Sequence, residues 1–339
     1  MKLLTYDTGA GPRCGVLQDD QVVDVTALLG CDQTLLDVRA LLELDDSPID
    51  RVREVLGGNI STLSLPFEGV RLRSPVLQPP TVRDFIAFEE HASGQGAREP
   101  ADAWYRMPIF YFSNPLRIFG PNDEVPYPSA SERLDYELEL GCVIGCEGSN
   151  VAEANALDYI AGFCIFNDWS CRDLQRDEMS ASLGPAKGKD SASSIGPWVV
   201  TTDEMAPYIR DGRLQVKCTA RVNGDVWVAE IDGGVSYHTW GAFVERASKD
   251  SRIVPGDVFG SGTVGGGSIG EAIAKGNEKA RYLETGDKVE FEVEGIGVLR
   301  STIGPKVDED SNYRYKAKEQ PPLPKLGRAK DYKYELKVR

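Results

Sequence analysis

"ERLDYELELGCVIG", Glu132–Gly145, decides how this chain is read. Taken as a strand, its side chains alternate between two faces, with positions i and i+2 about 7 Å apart. Asp135, Glu137 and Glu139 then share one face, and Tyr136, Leu138 and Leu140 the other. The continuation Cys142-Val143-Ile144 is apolar on both faces, which places the strand inside a sheet rather than at its edge. Like charges repel along one face, and a lone carboxylate is expensive to bury. Three arrangements relieve the conflict: the acidic face is open to solvent, it meets Lys or Arg, or it holds a cation.

Two further stretches bear on that choice. "IAGFCIFNDWSCRDLQ", Ile160–Gln175, is an apolar strand ending in Asn167-Asp168, so an acid sits at the tip of a buried strand, where it can point into a cleft. "TVRDFIAFEEHA", Thr81–Ala92, sets Asp84 seven residues before His91, one of only two histidines in the chain. Oxygen ligands of this kind select hard cations such as Mg²⁺, Mn²⁺ or Ca²⁺. The scarcity of His and the lack of a CxxC pair oppose zinc.

The remaining sequence frames these stretches. At 339 residues the chain can bury a large core, as two domains or one large one. Residues 1–75 read as a small α+β domain. Strands fall in "KLLTY" and within 14–25, and a helix over 34–44 carries Leu35, Val38 and Leu42 on one face. A second helix opens with Ser47 as N-cap and Pro48 at its first position, and Gly57 closes it. A linker falls near 75–80, ending in the pair Pro79-Pro80. Residues 76–305 read as mostly β, with helices expected over 151–161 and 240–248 and a period-two alternation at Val289, Phe291 and Val293. Residues 306–339 carry ten Lys/Arg against six Asp/Glu and form a polar C-terminal extension, either an arm over the body or a solvated tail.

Net charge of −15 argues against a nucleic-acid partner. No apolar run approaches the length of a membrane-spanning helix. Seven scattered cysteines read as reduced thiols, and the N-terminus lacks the apolar stretch of a signal peptide, so a cytoplasmic location is expected. Gly260–Gly265 spells G-x-G-x-x-G after a strand, as a dinucleotide site would. No second strand of a βαβ unit follows, and Gly266-Gly267 break any immediate helix, so nucleotide binding is set aside. The glycines instead let backbone approach a ligand and let Thr263 face the site.

The blocks "RDFIAFEEHA", "MPIFYFSNPLRIFGP", "LDYELELGCVIG", "FNDWSCRDLQ", "LGPAKGKDSASSIGPWVVT", "PGDVFGSGTVGGG" and "SIGEAIAKG" follow in order between Pro75 and Pro305. Together they resemble the fumarylacetoacetate hydrolase family. The resemblance implies an α+β, mostly β fold: a mixed β-sandwich or roll of that family's C-terminal type, with a small N-terminal α+β domain. It also implies a homodimer and a divalent metal held by carboxylates, with Mg²⁺ expected and Mn²⁺ or Ca²⁺ as alternatives. Carried onto this sequence, Glu137 and Glu139 match the E-x-E metal ligands, and Asp168 the ligand of the N-D motif. Asp84 matches a fourth acidic ligand that some members lack. Asp135 matches no ligand position and is left with structural hydrogen bonds.

His91 and Glu271 match a His–Glu pair that activates water in the family's hydrolases. Lys189 aligns with a Lys close to metal and substrate, and Lys187 is its rival. Tyr111, Gln175, Thr263 and Arg98 match or lie near substrate-contacting positions, Arg98 in the lid-like stretch "ASGQGAREPADA". Arg172 is expected to brace its loop by ion pairing, and His238 to be a packing histidine. Two departures matter. Ser191 stands where close relatives carry Phe, which alters a pocket wall, and Met179 stands near a Tyr of fumarylacetoacetases, which points away from fumarylacetoacetate itself. The activity implied is hydrolysis of a C–C bond in a 1,3-diketo acid, acylpyruvate or fumarylacetoacetate-like. The alternative is decarboxylation, isomerisation or hydration of a 2-oxo acid such as oxaloacetate. A small-molecule binding protein without turnover is the third reading.

Overall fold

The structure is a computed structural model that describes residues 1–44, 47–58 and 64–306. The expectations for the C-terminal extension, apart from Lys306, lie outside the described residues. Most of the strands join one twelve-stranded sheet. At its centre, Ile160–Asp168 and Leu138–Ile144 run antiparallel with every residue buried. Parallel pairing of Val82–Phe85 with Val258–Gly260, and of the latter with Leu138–Ile144 in antiparallel sense, extends the sheet on one side. On the other side Ser193–Thr201 pairs with Lys2–Asp7, so the N-terminal strands continue the same sheet.

The quoted stretch has two buried faces. Leu138, Leu140 and Cys142 join a core with Cys218, Val289 and Phe291 from a five-stranded second sheet, and the Tyr136 ring meets Phe291 edge-on at 5.2 Å. On the opposite face Val143 packs with Phe166, Ile195 and the helices Val25–Leu29, Val38–Leu42 and Pro48–Leu56. Glu139 has the parity of Val143 along the strand and lies on that second face. The strand is not continuous over the whole stretch. Leu134–Asp135 pairs with Ser170–Cys171, and the ladder resumes at Leu138. Between them the Glu137 N–H bonds to the Asn167 side chain and the Leu138 N–H to the Gly267 carbonyl, which redirects the chain. Asp135 is thereby separated from the other two acids.

Helix boundaries depart from expectation where side chains compete for the backbone. The helix expected over 34–44 spans only Val38–Leu42, because Asp37 caps it through the Ala40 N–H while the Leu35 N–H bonds to the Thr26 hydroxyl. Pro48 opens the next helix as expected, but Ser47 adopts a left-handed backbone (φ 50°) and its side chain caps nothing. Over 151–161 the α-helix is replaced by a 3₁₀ segment, Glu153–Tyr159, because Ile160 and Ala161 already belong to the central strand. Trp240–Ser248 forms as read: Thr239 caps it, and Trp240, Phe243, Val244 and Ala247 form one buried stripe.

Candidate active site

Four acids converge at one end of the central strands. Val82–Phe85 delivers Asp84 directly beside Gly260, Glu139 enters from Leu138–Ile144, Glu137 from the break before it, and Asp168 closes Ile160–Asp168. One oxygen from each of Asp84, Glu137, Glu139 and Asp168 lies within 4.8 Å of all the others, and all four residues are buried. Asp84 Oδ1, Glu139 Oε1 and Asp168 Oδ1 are buried without a hydrogen-bond partner. Such orphaned acceptors are rare in a native interior. Gly260 makes the convergence possible: a Cβ there would stand 2.7 Å from both Asp84 Oδ1 and Glu139 Oε2. The donor set is all oxygen, which suits a hard dication.

Electrostatics separates the four. Burial pushes Glu139 and Asp168 well above the ordinary carboxylate range, and their acidic neighbours add to it, while Lys189 pulls Asp168 down only in part. Asp84 is raised for the same first reason. Glu137 goes the other way: burial raises it, but Lys189, Arg172 and His91 outweigh that and hold it well below the usual range. The Lys189 ammonium donates to both Glu137 and Asp168, and its neighbouring carboxylates keep it charged despite full burial. Lys187 is on the surface, paired with Asp190. Arg172 reaches past its own loop, donating to Asp135 Oδ2 at 2.7 Å and pairing with Glu137 Oε1 at 2.8 Å.

His91 stands between the cluster and Glu271. Its Nε2 is 3.7 Å from Glu137 Oε1, and its Nδ1 is 3.1 Å from Glu271 Oε1, an angle short of a full hydrogen bond. Glu271 caps the helix Ile269–Ala274 as the third residue of a capping box, its Oε2 accepting from the Ser268 N–H and hydroxyl. Burial raises the Glu271 pKa, but His91 and Ser268 outweigh it and hold the carboxyl low. A carboxylate so held fixes the orientation of the ring beside it.

These groups border a cleft of about 290 Å³ whose lining includes Tyr111, Gln175, Lys189 and Thr263. The Tyr111 hydroxyl donates to Asp168, and the buried Thr263 hydroxyl has no partner. Gln175 Oε1 accepts from Arg172. Arg98 is exposed and does not line the cleft. Met179 lines it; Ser191 does not. His238 packs against Trp104, bonds to its carbonyl at 2.7 Å, and is held below the ordinary imidazole value mainly by burial. The sequence reading missed Gln95, whose side chain donates to Glu271 Oε1, and the bond from Arg172 to Glu137. Gln95 sits in a Gly-Gln-Gly turn that carries no motif; Arg172 follows the N-D motif closely enough to have been found.

Fold and site together define an enzyme scaffold with a buried carboxylate centre and a His–Glu pair at its edge. The profile of the "Fumarylacetoacetate (FAA) hydrolase C-terminal" family matches residues 81–304. The "Fumarylacetoacetate hydrolase domain-containing protein 2 homolog" of Dictyostelium discoideum is 30% identical over 322 residues, 89% of this chain and 97% of its own. "Oxaloacetate tautomerase fahd2, mitochondrial" of Xenopus laevis is 28% identical over 310 residues, 89% of this chain and 90% of its own. In fold, the chain is similar to maleylpyruvate hydrolase from Sphingobium sp. SYK-6, solved in complex with manganese (II) ion and pyruvate. That match has a TM-score of 0.68 and 21% identity, covering 90% of this chain and 100% of the other. The chain belongs to the fumarylacetoacetate hydrolase family, whose members include hydrolases and isomerases.

Proposed function

We propose that the chain is a metal-dependent hydrolase that cleaves a C–C bond in a 1,3-diketo acid of the acylpyruvate type. The observation that carries this reading is the position of His91, with Glu271 on one side and the four-acid cluster on the other. Asp84, Glu137, Glu139 and Asp168 are the residues that would hold a dication, Mg²⁺ or Mn²⁺. Such an ion would supply Lewis-acid polarisation of the substrate's oxygens.

The protein's own groups do the rest. Thr263 and Gln175 orient the 2-oxo acid end. His91 takes a proton from water at Nε2 while Glu271 holds its Nδ1–H, and the hydroxide adds to the distal carbonyl. The Lys189 ammonium offsets charge on the oxygen formed there. The bond between that carbon and the methylene breaks, its electron pair stays on the pyruvate fragment, and the imidazolium returns the proton. Water and diketo acid become pyruvate and a carboxylic acid.

The test is an assay of the Mg²⁺- or Mn²⁺-loaded chain with acylpyruvates, followed by NMR of the products. Pyruvate and the matching acid from the native protein, lost in His91→Ala, are expected. A second reading, isomerisation of a 2-oxo acid, is favoured by the name of the Xenopus relative. Keto–enol exchange of oxaloacetate with no cleavage of any acylpyruvate would put it in first place. A homodimer in the cytoplasm completes the proposal, and a monomer mass by light scattering would contradict its first half.

A further inference from the structure

His91 sits on a helix of four residues, Glu89–Ala92, that has no side-chain cap at its start. So short a helix does not hold itself in water, and its surroundings must hold it. Besides His91 itself, two contacts tie this region to the helix that carries Glu271. Glu90 pairs at 2.7 Å with Lys275, the residue that closes Ile269–Ala274. Beyond His91 the chain turns back, and the Gln95 side chain donates to Glu271 Oε1 at 2.5 Å.

The Gln95 contact falls on the atom that faces His91. Glu271 Oε2 is taken by the Ser268 N–H and hydroxyl. Oε1 stands 3.1 Å from His91 Nδ1 and is the oxygen that accepts from Gln95. An ionised carboxylate accepts and cannot donate, so the amide presents its NH₂ group to it. With a donor on each oxygen, the carboxylate cannot swing about its last bond.

The backbone at Gln95 is a second, independent observation. Gly94, Gln95 and Gly96 are all left-handed, with φ of 60°, 62° and 77°. That region disfavours a residue with a Cβ and suits glycine. A Cβ at Gly94 or Gly96 would meet nothing within 4 Å, so those glycines answer to backbone shape rather than to crowding. On the same grounds a third glycine would suit position 95 better than Gln. The turn is nonetheless well formed. The Gln95 N–H donates to the Glu90 carbonyl at 2.8 Å, and the Ser93 hydroxyl accepts from the Gly96 N–H at 2.8 Å. A residue kept in unfavourable backbone with its side chain on Glu271 points to a role for that side chain.

We infer that Gln95 is a positioning residue: it locks Glu271 in the orientation that turns Oε1 toward His91 Nδ1, and so sets the tautomer and aim of the imidazole. The inference rests on the roles of His91 and Glu271 proposed above. Gln95 does not line the cleft, so its loss is expected to spare substrate binding.

The test compares the Mg²⁺-loaded full chain with Gln95→Gly and Gln95→Asn. Glycine removes the side chain and relieves the backbone. Asparagine keeps an amide and tolerates left-handed backbone, but falls one methylene short. In both variants kcat for acylpyruvate cleavage is expected to drop about tenfold or more, with KM within about twofold of native. The unfolding midpoint is expected to stay near native, because relief of the backbone offsets the lost hydrogen bond. In ¹⁵N spectra of the imidazoles, the His91 proton is expected on Nδ1 in the native chain and divided between Nδ1 and Nε2 in the variants, with His238 unchanged. An unchanged kcat, a fall in kcat that tracks a lower unfolding midpoint, or a His91 spectrum identical in all three chains overturns the inference. If the native chain cleaves no acylpyruvate, the proposed reaction fails, and the His91 spectrum alone decides on Gln95.

Discussion

Glu137 and Glu139 lie two residues apart and are displaced in opposite directions, because Lys189, Arg172 and His91 surround the first and three acids the second. With Asp84 and Asp168 also raised, the metal-free cluster retains protons above the ordinary carboxylate range. A dication must displace them, so its binding releases protons and its affinity rises with pH through that range. Titrations in buffers of different ionisation enthalpy read this release directly. Gly260→Ala pushes a methyl against Asp84 and Glu139 and is expected to weaken Mn²⁺ binding by roughly 10–100-fold with little change in fold. His91→Ala is expected to lower kcat for acylpyruvate cleavage by about 10²–10⁴ while Mn²⁺ affinity stays close to that of the native protein.

At the scale of elements, the helix Ile269–Ala274 links packing to chemistry. Asp135, set apart from the four-acid cluster by the break in its strand, accepts from the Ile269 and Gly270 N–H groups and from Arg172. It therefore fixes both the helix that carries Glu271 and the guanidinium that reaches Glu137. Asp135→Ala leaves Arg172 without one of its buried partners and is expected to cost about 3–5 kcal/mol in chemical denaturation. Asp24 has a comparable role near the N-terminus, capping Val25–Leu29 and accepting from Tyr6 and Arg13. Burial raises its pKa, but Arg13 and the Ala27 N–H outweigh this, so the folded value is below the unfolded one. Its contribution is complete above about pH 4 and is lost as pH falls through the folded value. Denaturation of Asp24→Asn should show a deficit at neutral pH that narrows on acidification.

What was legible in the sequence follows the same division. Glu137, Glu139 and Asp168 were readable because each sits where an apolar strand pattern meets an acid. Asp135 shared the parity of its neighbours, and nothing local announced that a side-chain bond from Asn167 would break the strand. Gln95 reaches Glu271 across 176 residues, a distance at which local patterning is silent. The residue types at 151–161 suit a helix, yet the pairing of Ile160 with Ile144 in the central sheet overrides that preference.

On the scale of the molecule, the carboxylate cluster is fed by strands that are distant in sequence but adjacent in one sheet. Residues from Asp84 to Gly260 meet there, so an ion bound at the cluster ties the middle of the sheet together. Dication binding to the folded state alone should raise stability by about 2.7 kcal/mol at a hundredfold excess over Kd. A thermal melt with and without Mn²⁺ measures it, and Glu139→Gln should remove most of the shift.

Direct titration of the chelator-treated full chain with Mn²⁺ asks the main question with the fewest assumptions. The account predicts a single saturable site per chain, proton release on filling it, and loss of most of that affinity in Glu139→Gln. No saturable uptake, or uptake that Glu139→Gln leaves unchanged, would contradict it.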